Sequence, residues 1–315
     1  MSVVDPSPGS TTVGTARSSR EGKPSTTGPS HVVHTGTPVR SVSRSTGATS
    51  PPRWHRFAAL GDSFTEGMQD VQRADGRHLG WADRVALALA AADTTAPMEY
   101  ANLAVRGRLL PQVIAEQVPA AVRLQPDLVT LGAGVNDAMR RNFDLDAVAT
   151  GLESGVRGLR GTGADVVLFA FGDPSRRSSV MGLIRDRIRS LNSAVHAIAD
   201  VHGCRVVDFW GAAVFDDDRV WDSDRLHLSP AGHQVASHAV LEVLGLADSS
   251  WRTPAVLEPR AGSVRRMASH VGWAQRHAGP WVGRRLRGAS SGDDITPKNP
   301  EWTVVHRESD GSTAG

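Results

Sequence analysis

The chain is poor in the residues that staple or anchor a protein. It has 315 residues but a single cysteine, Cys204. That excludes an internal disulfide and leaves no thiolate cluster for zinc. No apolar run approaches the roughly 18 residues that a membrane-spanning helix requires, so an integral helical membrane protein is excluded. Lysine is nearly missing: Lys23 and Lys298 are the only two among 35 basic residues. The arginine bias, with abundant Ala, Gly and Val, is the mark of a GC-rich bacterial genome more than of a function. Formal charge is only +2, too small a surplus to indicate nucleic-acid binding. No Gly-rich phosphate loop opens the first helix, which removes nucleotide binding as a use of the fold described below.

Composition divides the chain. Residues 1–52 are rich in Ser, Thr, Gly, Pro and Arg without periodicity, and are expected to be a disordered tail because they hold too little apolar surface to offset ordering entropy. No basic start followed by an apolar stretch of about 7–15 residues is present there, so a secretory leader is not expected and the expected location is cytoplasmic. Residues 53–247 alternate short apolar runs (56–60, 99–103, 127–131, 164–171 and 205–209) with helical stretches (80–92, 109–124, 144–159 and 178–201). A last helix follows Ser229, with Pro230 at its first position. Alternation of this kind predicts a parallel sheet with helices on both faces.

Residues 248–289 carry an apolar stripe (Val264, Met267, Val271, Ala274, Ala278) among arginines. This basic amphipathic helix is expected to pack across the preceding domain, with weak contact to a membrane surface as the second reading. Residues 290–315 are expected to be flexible.

Ligands of an open parallel sheet bind beyond the carboxyl ends of its strands. Four loops there carry chemistry: Gly61-Asp62-Ser63-Phe64 after the first strand, Arg106-Gly107 after the second, Gly134-Val135-Asn136-Asp137 after the third, and Asp224-Arg225-Leu226-His227 after the fifth. Serine needs a base to take its proton, and a histidine held by a carboxylate is the usual one. Ser63, His227 and Asp224 supply nucleophile, base and orienting acid. The Ser63 and Gly107 N–H groups and the Asn136 amide supply candidate oxyanion donors. Each motif alone is ordinary; the four in order, each behind its own strand, point to a hydrolase.

At these residues the sequence resembles the SGNH hydrolases, the GDSL esterase/lipase family, over about residues 56–246. The name residues match as Ser63, Gly107, Asn136 and His227, with Asp224 completing Asp-x-x-His; Phe64 stands where the family name has leucine. The stretch around Pro280, Trp281 and Arg284 is similar to actinobacterial members. The resemblance implies a three-layer α/β/α, flavodoxin-like fold with five parallel strands. It also implies a metal-independent serine hydrolase without a cofactor, acting on a small-molecule ester. Loops 69–79 and 172–177, with Arg73, Arg77, Arg176 and Arg177 and few large apolar residues, are expected to line the pocket, favouring short acyl, acetyl or carbohydrate esters. The competing reading is a non-catalytic binding or membrane-surface protein that keeps the fold. The oligomeric state is not legible.

Overall fold

In the computed structural model, residues 54–177, 179–253, 292 and 294–306 are described. The tail ending at residue 52 and residues 254–289 of the amphipathic segment lie outside them. The first strand, β1 (Arg56–Gly61), leads directly into a one-turn helix, α1 (Ser63–Glu66). Helix α2 (Gly80–Ala92) and strand β2 (Glu99–Asn102) follow, then α3 (Leu110–Gln112), a π turn (Val113–Gln117) and α4 (Val118–Leu124). Next come β3 (Leu128–Gly132), α5 (Val135–Ala138), α6 (Leu145–Arg160) and β4 (Asp165–Ala170). Helices α7 (Ser179–Gly182) and α8 (Arg185–His202), β5 (Arg205–Asp208), α9 (Pro230–Val243) and β6 (Asn299–Val304) complete the α-helices and strands among the described residues.

The sheet order is β5-β4-β3-β1-β2-β6. Strands β1 to β5 pair in parallel, and the alternation of their side chains divides the core into two faces. Phe57 and Ala59 of β1 face the layer containing α2 and α9; Ala58 and Leu60 face α4, α6 and α8. The chain leaves β1 toward β2 on one side and reaches β3 on the other, so a crevice opens at the end of β1.

Three expectations need correction. The sheet has six strands, not five, because residues 299–304 run antiparallel to β2. That stretch falls in the segment expected to be flexible. Its pattern concealed it: Asn299-Pro300 reads as a turn, and the strand is a half-exposed edge where a proline is tolerated. Trp302 anchors it by donating to the Leu124 carbonyl (3.2 Å), with the Arg56 guanidinium over its ring.

The helix expected over 109–124 is interrupted by the π turn. Pro119 has no N–H and its ring crowds the carbonyl four residues back, and the wider turn relieves both. The helix expected over 178–201 breaks between Gly182 and Arg185, leaving Ile188, Leu191, Val195 and Ile198 as the buried stripe of α8.

Candidate active site

The nucleophile's turn is built from the backbone outward. Gly61 ends β1 at φ 149°, and a Cβ there would stand 2.3 Å from the Gly132 carbonyl oxygen, so neither its conformation nor its neighbour admits a side chain. Gln117, swung inward by the π turn, satisfies Gly61 on both sides: its Oε1 accepts the Gly61 N–H (2.8 Å) and its Nε2 donates to the Gly61 carbonyl (2.9 Å). Asp62 caps α1 by accepting the Phe64 N–H (3.1 Å). Ser63 is thereby presented at the first helical position, at the mouth of the crevice.

Opposite it, the loop after β5 returns through a closed turn. The Asp222 N–H donates to the His227 carbonyl (2.9 Å), and Arg225 adopts a left-handed φ of 56° that folds Asp224 back on His227. Asp224 accepts the backbone N–H groups of Leu226 and His227 (2.9 Å each) and, through Oδ2, the His227 Nδ1–H (2.5 Å). With the proton on Nδ1, Nε2 is the acceptor, and Ser63 Oγ lies 3.0 Å from it. Ser229 then caps α9 through the Gly232 N–H, which fixes the far end of the loop.

Charge is distributed unevenly. Burial raises the Asp224 carboxyl, but the hydrogen bond and charge of His227, with the two backbone donors, outweigh it and leave the pKa at about 2. Asp62, next door, is compensated less: burial, only partly opposed by the Phe64 N–H and His227, lifts it to about 7.

The predicted oxyanion donors are placed less simply. Among the described residues, neither the Ser63 nor the Gly107 N–H donates to a protein acceptor. Gly107, at φ 75°, sits in the loop beside the site rather than in the cavity wall. The Asn136 amide donates to Asp62 Oδ2 (3.0 Å) and to the Arg108 carbonyl (3.1 Å). It therefore bridges the nucleophile turn and the Gly107 loop.

Other residues near the site had no role in the sequence reading. Glu66, on α1, accepts the Arg106 N–H (2.7 Å) and pairs with the Arg106 guanidinium, tying the nucleophile's helix to the Gly107 loop. The backbone carbonyls around the end of α1 are gripped by side chains from three other segments. Asn102 Nδ2 donates to Thr65 (3.0 Å), Lys298 Nζ to Glu66 (2.7 Å) and His233 Nε2 to Met68 (2.9 Å).

The cavity beside Ser63 has a volume of about 100 Å³ and is mostly apolar, with Met68, Met139, Phe171, Ile184, Phe215 and Leu228 in its wall. This corrects the expected polar lining. Of the four arginines, only Arg177 reaches the cavity. Arg73 pairs with Asp83, Arg77 donates to the Lys298 carbonyl, and Arg176 pairs with Asp216. Among the described residues no three His, Cys, Asp or Glu side chains gather as a metal site, and no helix is long and apolar enough to cross a membrane.

Comparison with known proteins bears on the family and the fold. The profile of the GDSL-like lipase/acylhydrolase family matches residues 59–235. Among solved structures, an α/β hydrolase from the metagenome of Lake Arreo, Spain, superposes with a TM-score of 0.52 at 23% identity, covering 61% of this chain and 96% of its own. An acetylxylan esterase from Geobacillus stearothermophilus superposes with a TM-score of 0.52 at 19% identity, covering 62% of this chain and 97% of its own. At these identities the likeness is one of fold. A search of curated proteins gives no significant match.

Proposed function

Because the chain belongs to the GDSL-like lipase/acylhydrolase family, and is on that ground a carboxylic ester hydrolase, we propose that it works by acyl transfer through Ser63, His227 and Asp224. The observation that carries this reading is the continuous relay from Ser63 Oγ to His227 (3.0 Å) and from His227 to Asp224 (2.5 Å). Solved variants of the Geobacillus acetylxylan esterase described as catalytic mutants replace a serine, an aspartate and a histidine. The latter two stand three positions apart, as Asp224 and His227 do here.

In the first step Ser63 Oγ attacks the ester carbonyl and His227 Nε2 takes its proton. Asp224 remains ionised and steadies the imidazolium without accepting its proton. The negative charge on the carbonyl oxygen is met by the Ser63 and Gly107 N–H groups, and by an Asn136 N–H that turns from the Arg108 carbonyl toward the oxyanion. His227 returns the proton to the departing alcohol. Water, activated by the same histidine, then cleaves the acyl-serine.

Short aliphatic acyl groups are the favoured substrates in this reading, supported by the small apolar cavity. The test is hydrolysis of p-nitrophenyl acetate, butyrate and octanoate by wild type and Ser63→Ala. Activity that is highest on the shorter esters and vanishes in the variant is expected; equal rates for the two proteins would refute the role of Ser63.

A further inference from the structure

The cavity beside Ser63 has one permanent charge in its wall. Arg177 ends the short turn after β4, and its guanidinium carbon lies 4.0 Å from the centroid of the Trp221 ring. Trp221 is itself fixed. Its Nε1 donates to the Phe215 carbonyl (2.9 Å), and its backbone bridges to Leu228, the residue after His227. The cation is thus held by stacking in the same cavity as Ser63 and His227.

The acids around it are engaged elsewhere. Asp173 accepts from Arg185 Nε (2.7 Å) and from Ser175, Asp216 pairs with Arg176 (2.7 Å), and Asp224 serves His227. Among the described residues no carboxylate lies within ion-pair distance of Arg177. The remaining titratable groups of the wall are Asp62, His227 and His233. Burial leaves Asp62 partly protonated near neutrality and holds His233 neutral, with its pKa down at about 4. Burial also lowers Arg177, to about 10, so it is still charged at neutral pH.

A partly buried guanidinium in an apolar wall has lost hydration and gains in return only the longer-range charge of Asp173, which is itself paired with Arg185, and its planar fork matches a carboxylate. We propose that the esters preferred at this site carry a carboxylate a few methylenes from the scissile carbonyl, which Arg177 binds while Ser63 attacks. This names the substrate class of the acyl transfer proposed above and rests on that reading. The cavity, at about 100 Å³, suits a short aliphatic stretch ending in a carboxylate better than one ending in a bulkier phosphate.

Calorimetric binding to Ser63→Ala, which removes turnover, tests the site itself. Two matched pairs are compared: methyl hexanoate with monomethyl adipate, and pentyl acetate with 5-acetoxypentanoate. Preference for the anion within the first pair assigns it to the acyl side, and within the second to the alcohol side. A charge-assisted contact predicts at least about 10-fold tighter binding of the anionic member of one pair. Adding Arg177→Met should erase that preference and Arg177→Lys should restore part of it. With Ser63 present, the ratio of kcat/KM for the anionic over the neutral ester should collapse toward one in Arg177→Met. Equal affinities within both pairs, or a preference that survives Arg177→Met, would overturn the proposal. If wild type hydrolyses none of the four esters while Arg177-dependent binding holds, the acyl-transfer reading fails instead.

Discussion

Asp224 and Asp62 are both carboxylates beside His227, yet their surroundings drive them in opposite directions. Asp224, with the imidazole and two backbone N–H groups against it, sits near pKa 2, so it is ionised at neutral pH and ready to support an imidazolium. Replacing Ser63 or His227 by alanine should lower kcat by about 10⁴ or more. Asn136→Ala should cost about 10²–10³ if its amide reaches the oxyanion; a near-normal rate in a folded variant would assign that amide to structure alone. Asp62, buried and lifted to about 7 from an ordinary 3.8, has a different consequence. Between those values the folded state holds a proton that the unfolded state has released, so this group costs stability as pH rises from about 4 to 7 and nothing below. Urea unfolding of wild type and Asp62→Asn should therefore shift in favour of the variant between pH 4 and pH 8, by on the order of 4 kcal/mol. A difference that does not vary with pH would return Asp62 to the ordinary carboxylate range.

Among the elements, β6 has the least obvious sequence and the most direct connection to the nucleophile. Lys298, just before it, places its ammonium on the Glu66 and His78 carbonyls and on Asp83, all away from water. Lys298→Met leaves the Asp83 carboxylate buried without its main counter-charge, a loss of roughly 3–5 kcal/mol. Combining it with Asp83→Asn should recover a large part of that, as unfolding midpoints of the two single variants and the double variant will show. Additive losses would mean that the two side chains do not act as a pair. The central strands and α2 were legible because Phe57 to Leu60 and their counterparts are continuous apolar runs bounded by turn residues. β6 was not, since an edge strand buries little and its Asn299-Pro300 start imitates a turn. The π turn and the break before Arg185 escaped for a related reason: apolar spacing reports which face is buried, not where hydrogen bonding shifts by one residue. Among site residues, Ser63, Asp224 and His227 could be found because each follows a strand. Arg177 was expected near the pocket, but its apolar surroundings came largely from Phe215 and Trp221, distant in the chain and brought to it only by packing.

At the scale of the whole molecule, the triad, the oxyanion candidates and the cavity all fall within residues 59–235 or against them, and the fixed C-terminal strand closes the sheet beside β2. None of the named triad or oxyanion residues lies in the first 52 residues. A chain beginning at residue 53 should keep kcat/KM on p-nitrophenyl butyrate within about two-fold of the full chain, since all the groups assigned to acyl transfer remain. A chain ending at residue 291 should instead lose stability and activity together, because Lys298 and Trp302 go with it. Loss of activity in the first case alone would assign a role to the N-terminal segment that its composition does not suggest.

The central claim is that His227 and Asp224 make Ser63 a nucleophile. Its most direct measurement is intact-mass and peptide analysis after exposure to a fluorophosphonate, which reacts with activated serines. One adduct per chain, located on Ser63 and lost in His227→Ala, is the result this account predicts. An unlabelled chain, or a label on another residue that persists in Ser63→Ala, would contradict it.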